Sequence, residues 1–83
     1  MSGKQNAAQV RAIAVIALDY AFANAGDTCN ERGLSWDAPE YGEWAFESIT
    51  SGAMTAIEEE RAEVDCDDVI AVAEAMHAAG ERE

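Results

Sequence analysis

Residues 10–25 read VRAIAVIALDYAFANA, from Val10 to Ala25, and the spacing of their apolar side chains decides the fold. Val10, Ile13, Ala14, Ala17, Leu18 and Ala21 fall on one face at 100° per residue, the signature of a helix. Val15, Ile16, Tyr20 and Phe22 fall elsewhere on the wheel, so the segment is apolar nearly all round. A helix of that kind is central, covered by other helices or by a second subunit. No stretch of the chain alternates with period two, and its many alanines favour helices that pack closely.

Working outward, Ser2-Gly3-Lys4-Gln5 fits a capping box, so the first helix is expected to start almost at residue 2. Gly26 is the natural residue to end it after Ala25, leaving Gly26–Trp36 as the main loop. Asp37-Ala38-Pro39-Glu40 announces a second helix. Asp37 serves as N-cap, Glu40 as its N3 partner, Pro39 sits in the first turn, and Trp36 and Tyr41 form a hydrophobic staple. Ser48–Thr55 is weak helix material around Gly52. Either residues 38–64 form one helix, or it breaks near Gly52 and Thr55-Ala56-Ile57-Glu58 caps a short helix to Val64. Asp65 caps the last helix, with Asp68 at N3 and a Val64/Val69 staple. Cys66, Val69, Ile70, Ala73, Met76 and His77 form its buried face, and Gly80 closes it. The expectation is an all-α fold, a compact bundle of three to four helices, with residues 1–83 as a single domain. Eighty-three residues bury only a thin core.

Charge is distributed unevenly. Seventeen carboxylates against five Lys and Arg give a net charge of −12. All the carboxylates lie in residues 19–83, while residues 1–18 carry only Lys4 and Arg11. Such a chain repels nucleic acid and anionic lipid, so a partner bound through charge is a basic protein surface. Lys4, Arg11, Ala12–Leu18 and Ala23-Asn24-Ala25 loosely imitate a signal peptide, but Asp19 interrupts the apolar run after seven residues. Arg11 and Asp19 leave no stretch near 20 apolar residues for a membrane span. A cytoplasmic protein is expected.

The residues that could carry chemistry read more simply as structure. Counted as a calcium loop from Asp65, Asp65-Cys66-Asp67-Asp68 puts Ile70 where a glycine belongs and Met76 where a glutamate belongs. A helix cap accounts for these acids better. Cys66 and His77 stand about 16 Å apart along their helix and cannot share a metal within it. Cys29 adds no paired spacing, and the two cysteines are expected as reduced thiols. With no nucleophile elbow, phosphate loop or HExxH, the expectation is a non-catalytic protein without cofactor or metal.

The acidic surface remains. In one helix over 38–64, Glu40, Glu43, Glu47 and Glu58 lie within about 60° of one another, with Trp44 and Met54 among them. The opposite face is Ala45, Ile49, Ala53 and Ala56. An exposed Trp44 ringed by carboxylates has the composition of a hot spot for a basic, partly apolar surface. Glu58, Glu59 and Glu60 form a second cluster. If the helix is continuous they lie toward its negative end, where stability does not explain them. If a new helix starts at Thr55 they occupy a first turn and need little explanation.

With Glu40, Glu43, Trp44, Glu47 and Glu58–Glu60 in view, the chain resembles the small acidic phage proteins that block host defences, the anti-CRISPR and anti-restriction DNA mimics. The resemblance is one of size, charge and absent catalytic motifs, not of a shared motif. It implies a viral inhibitor acting in the host bacterial cytoplasm by protein–protein interaction, on a nuclease or a CRISPR effector complex. A second resemblance is to acyl carrier proteins, also short, acidic and helical, with a serine after a long loop. Ser35 sits in about that place, although Leu34-Ser35-Trp36 stands where that family has Asp-Ser-Leu. A regulatory dimer of the antitoxin kind, joined through the first helix, is a third reading.

Overall fold

The computed structural model describes residues 3–35 and 38–80, with side chains from residue 7 onward. They form four helices, α1 (Gly3–Arg32), α2 (Pro39–Glu47), α3 (Ile49–Glu60) and α4 (Cys66–Ala78), and no strand among the described residues. The fold is the all-α bundle that the periodicity predicts.

The hub is α1. Its 30 residues span about 45 Å, which sets the long dimension of a molecule 47 × 24 × 17 Å across. The other three helices all pack on it. Its inward stripe is Val10, Ile13, Ala14, Ala17, Leu18, Ala21, Ala25 and Cys29, all buried. Ile49, Ala53 and Ala56 of α3, with Val69, Ala73 and Met76 of α4, complete the core. Most of these side chains are small. The backbones therefore approach closely, and few large groups are fully enclosed, chiefly Leu18, Ile49 and Val69. Burying a side chain of that size contributes roughly 1.5–3 kcal/mol.

Several boundaries differ from the sequence reading. Gly26 does not end α1. It is buried inside the helix, which continues through the loop expected over 26–36 as far as Arg32. The reason is Cys29, which lies four residues beyond Ala25 on the inward stripe and is fully enclosed. The terminating glycine is Gly33, with φ of 71°, and Leu34 N–H closes the end on the Cys29 carbonyl at 2.9 Å. Helix α2 is capped at Ala38, in extended backbone and without a side-chain cap, rather than at Asp37; Pro39 follows at N1, and Glu40 is at N2. The capping residue Ser2 and the Trp36 half of the staple, like Asp37, lie outside the described residues.

The chain neither runs unbroken over 38–64 nor breaks at Gly52. It bends at Ser48, whose ψ opens to −1°. Ser48 N–H still bonds the Trp44 carbonyl at 3.0 Å and Gly52 N–H the Ser48 carbonyl at 2.9 Å, so helical hydrogen bonding crosses the joint. Gly52 is interior to α3, buried against the backbone of Ala17. No new helix starts at Thr55, and α3 ends at Glu60 rather than Val64. Arg61 is its C-cap in the left-handed region, φ 52° and ψ 41°. For α4 the reading holds. Asp65 is the N-cap and accepts from Asp67 N–H at 2.8 Å, and Gly80, with φ of 79°, follows the C-cap Ala79.

Candidate functional site

The inward faces of α2 and α3 are fixed by Ala45, Ile49, Gly52, Ala53 and Ala56, all buried. Their outward face follows from that. Stepping by three or four residues, it runs Glu40, Glu43, Glu47, Ser51, Met54 and Glu58, and every one of these is exposed. Helical bonding across Ser48 carries the stripe over the joint. Glu40 to Glu58 spans about 27 Å of axis. Four of the seven residues singled out from the sequence, Glu40, Glu43, Glu47 and Glu58, therefore share one exposed line.

The charge along it is not uniform. Glu40, Glu43 and Glu47 cluster on α2. Glu58, with Glu59 and Glu60 beside it, closes α3. Between Glu47 and Glu58, about 16 Å of axis, the exposed positions are the neutral Thr50, Ser51 and Met54. The second cluster occupies the C-terminal turn of α3, the negative end of the helix, where each carboxylate costs roughly 0.3–1 kcal/mol. The favourable alternative, a first turn, is not what the fold provides. Glu59 differs from its neighbours because it accepts a hydrogen bond from the Tyr20 hydroxyl of α1. That bond, with burial and the charges of Glu59 and Glu60, holds the Tyr20 phenol above its ordinary 10.0.

Trp44 is not on the stripe. It is half-buried, with the Arg32 guanidinium 5.3 Å from its ring centroid, so a cation of this chain already lies over it. The extension of α1 to Arg32 is what brings that cation there. Among the described residues, the large apolar side chains that face solvent are Met54, 60% exposed, and Phe46, 45% exposed. Met54 was visible from its spacing. Phe46 was missed because it lies on the flank of the stripe, where a wheel alone does not distinguish core from surface. Its ring packs T-shaped against the His77 ring, with centroids 5.6 Å apart. His77, expected on the buried face of α4 and found half-buried, donates from Nε2 to the Gly42 carbonyl at 3.0 Å and stacks on Phe22 with ring centroids 5.7 Å apart. It ties α4 to α2 and α1, which is a structural task.

Elsewhere the chemistry is sparse. Cys29 is enclosed and Cys66 half-buried, both free thiols. Among the described residues no group of three or more His, Cys, Asp and Glu is placed to hold a metal ion. No described helix is long and apolar enough to cross a membrane. Ser35 is exposed but lies in a short connection, three residues before the α2 N-cap, because the long loop expected ahead of it is helical. A cleft of about 330 Å³ between α1 and α2 is lined by Asp19, Asp27, Asn30, Phe22 and Tyr41 among others, and contains no nucleophile–base pair.

No protein-family model, curated protein or solved structure matches the chain.

Proposed function

We propose that this protein is a non-catalytic inhibitor that offers the carboxylates of α2 and α3 to a basic, nucleic-acid-binding surface of another protein. One observation carries the reading: Glu40, Glu43, Glu47 and Glu58 line one exposed face of a chain whose net charge is −12. Along α2 the three glutamates rise about 4.5 and 6 Å apart, against 3.4 Å between phosphates of one DNA strand. A protein that grips phosphates with Lys and Arg would find these acids a usable substitute. Glu58 and Glu60 at the end of α3 favour the same reading, since carboxylates there weaken the helix and local stability does not explain them, whereas Glu59 is accounted for by its hydrogen bond from Tyr20. The targets that use such grooves and that an acidic decoy could disable include nucleases and CRISPR effector complexes in a bacterial cytoplasm, in line with the anti-CRISPR and anti-restriction resemblance.

The test is capture from bacterial lysate with the tagged protein at low and high salt, beside a Glu43→Lys/Glu47→Lys variant. Retention of a nucleic-acid-binding protein that is lost with salt and with the variant supports the reading. A partner indifferent to both removes it.

A further inference from the structure

We infer that the Trp44 ring is a seat for an arginine side chain of the partner, and that Arg32 fills this seat in the free protein as an internal stand-in. The inference rests on α2 being part of the binding face and adds which cation that face selects. The occupant is visible: the Arg32 guanidinium carbon lies 5.3 Å from the Trp44 ring centroid, inside the roughly 6 Å over which a ring attracts a cation. The ring that holds it is half-buried, whereas Arg32 is exposed at the last residue of α1.

What holds Arg32 there is the ring. The chain has seventeen carboxylates, yet among the described residues no ion pair or hydrogen bond ties down this guanidinium. A cation–π contact at an exposed site is worth only about a two- to fivefold factor in an equilibrium, so it can be exchanged. An incoming arginine has more to gain. Trp44 stands four residues after Glu40 and three before Glu47, so both exposed carboxylates are its neighbours on the surface of α2. A side chain arriving from solvent can stack on the ring and pair with one of them, whereas Arg32, fixed at the end of α1, meets the ring alone. The planar, weakly hydrated guanidinium suits both contacts better than the compact ammonium of lysine does. The seat therefore discriminates between two cations that charge alone treats alike.

Two labelled synthetic peptides test this, one with arginines and one with the same number of lysines in an identical glycine–serine frame. Binding is read by anisotropy with wild type, Arg32→Ala, Arg61→Ala and Arg32→Ala/Trp44→Leu. The quantity compared is each protein's preference for the arginine peptide over the lysine peptide, which cancels the change in net charge. Arg32→Ala empties the seat and should raise the preference about two- to fivefold. Arg61→Ala removes the same charge elsewhere and should leave the preference at the wild-type value. In the double variant the gain should vanish. Circular dichroism checks that helix content is kept. Arg32→Lys, which preserves the charge and grips the ring less well, should raise the preference without altering Trp44.

An unchanged preference in Arg32→Ala and Arg32→Lys overturns the inference and makes the pair a tether of α1 to α2 only. So does a gain that survives loss of Trp44. The Glu43→Lys/Glu47→Lys variant separates this inference from the reading beneath it. If that variant binds both peptides as tightly as wild type does, α2 is not the binding face and both fall. If it binds neither while the preference of Arg32→Ala stays unchanged, only the arginine seat falls. Failure of wild type to bind either peptide overturns both.

Discussion

Gly52 of α3 lies directly against the backbone carbonyl of Ala17 in α1: a Cβ on Gly52 would stand 2.5 Å from that oxygen. A backbone atom cannot swing aside as a side chain can, so the helices would have to separate. Gly52→Ala should therefore destabilise the protein by roughly 1–3 kcal/mol, even though alanine is the better helix former. Gly42→Ala is the control. Gly42 is also inside a helix, but nothing lies within 4 Å of its would-be Cβ. That change should stabilise by roughly 0.4–1 kcal/mol. Urea unfolding of both variants checks the pair, and a stabilised Gly52→Ala would refute the close packing of α1 on α3.

Glu58 and Glu60 at the end of α3 should oppose stability. Glu58→Lys and Glu60→Lys each replace a negative by a positive charge at the negative end of a helix, and should stabilise by roughly 0.3–1 kcal/mol apiece. In a domain of this size that raises the melting temperature by a few degrees (roughly 4–8 °C per kcal/mol). If the cluster serves binding, the same substitutions weaken it. Melting curves and binding measured on the same samples would show the two properties moving in opposite directions.

Tyr20 gives a pH prediction of definite sign. Its phenol is held above 10.0 first by the hydrogen bond to Glu59, then by burial and by the charges of Glu59 and Glu60. The folded state therefore keeps the proton more tightly than the unfolded chain does. The resulting stabilisation is fully present below pH about 10 and is lost as pH rises toward the folded value. Ultraviolet titration should show a phenol ionising above the ordinary range, and Glu59→Ala should bring it back down. A Tyr20→Phe protein should lose less stability between pH 9 and 11 than wild type (about the range in which a phenol titrates).

The thiols should behave differently. Cys29 is fully enclosed beneath the last turns of α1, whereas Cys66 is half-buried at the first position of α4. A thiol reagent should modify Cys66 in the native protein and reach Cys29 only on unfolding. Mass spectrometry of the native adduct identifies which residue has reacted. Prompt modification of Cys29 would contradict the extension of α1 to Arg32.

What was legible in the sequence was whatever local chemistry determines. Asp65 and Gly80 bound α4 because a cap and a left-handed glycine act within a few residues of themselves. The inward stripe from Val10 to Ala21 was legible from its period. Gly52 and Gly26 misled because a helical glycine can mark either an end or a close approach. Gly52 answers to Ala17, 35 residues earlier, and Gly26 is overridden by the burial of Cys29 three residues later. Ser48 has no residue signal for the change in its ψ. For the site, the carboxylates of α2 and Glu58 were legible as one face. The role of Trp44 was not, because it depends on Arg32, which a loop over residues 26–36 would have placed elsewhere.

The central claim is that the stripe competes with nucleic acid for a basic surface. It is tested most directly by displacing labelled duplex DNA from the captured partner, read by anisotropy as the protein is added. Wild type should release the DNA in proportion to the amount added, and a Glu43→Lys/Glu47→Lys/Glu58→Lys variant of equal helix content should not. A partner that holds the DNA and this protein together, or a triple variant that displaces DNA as well as wild type, would contradict the account.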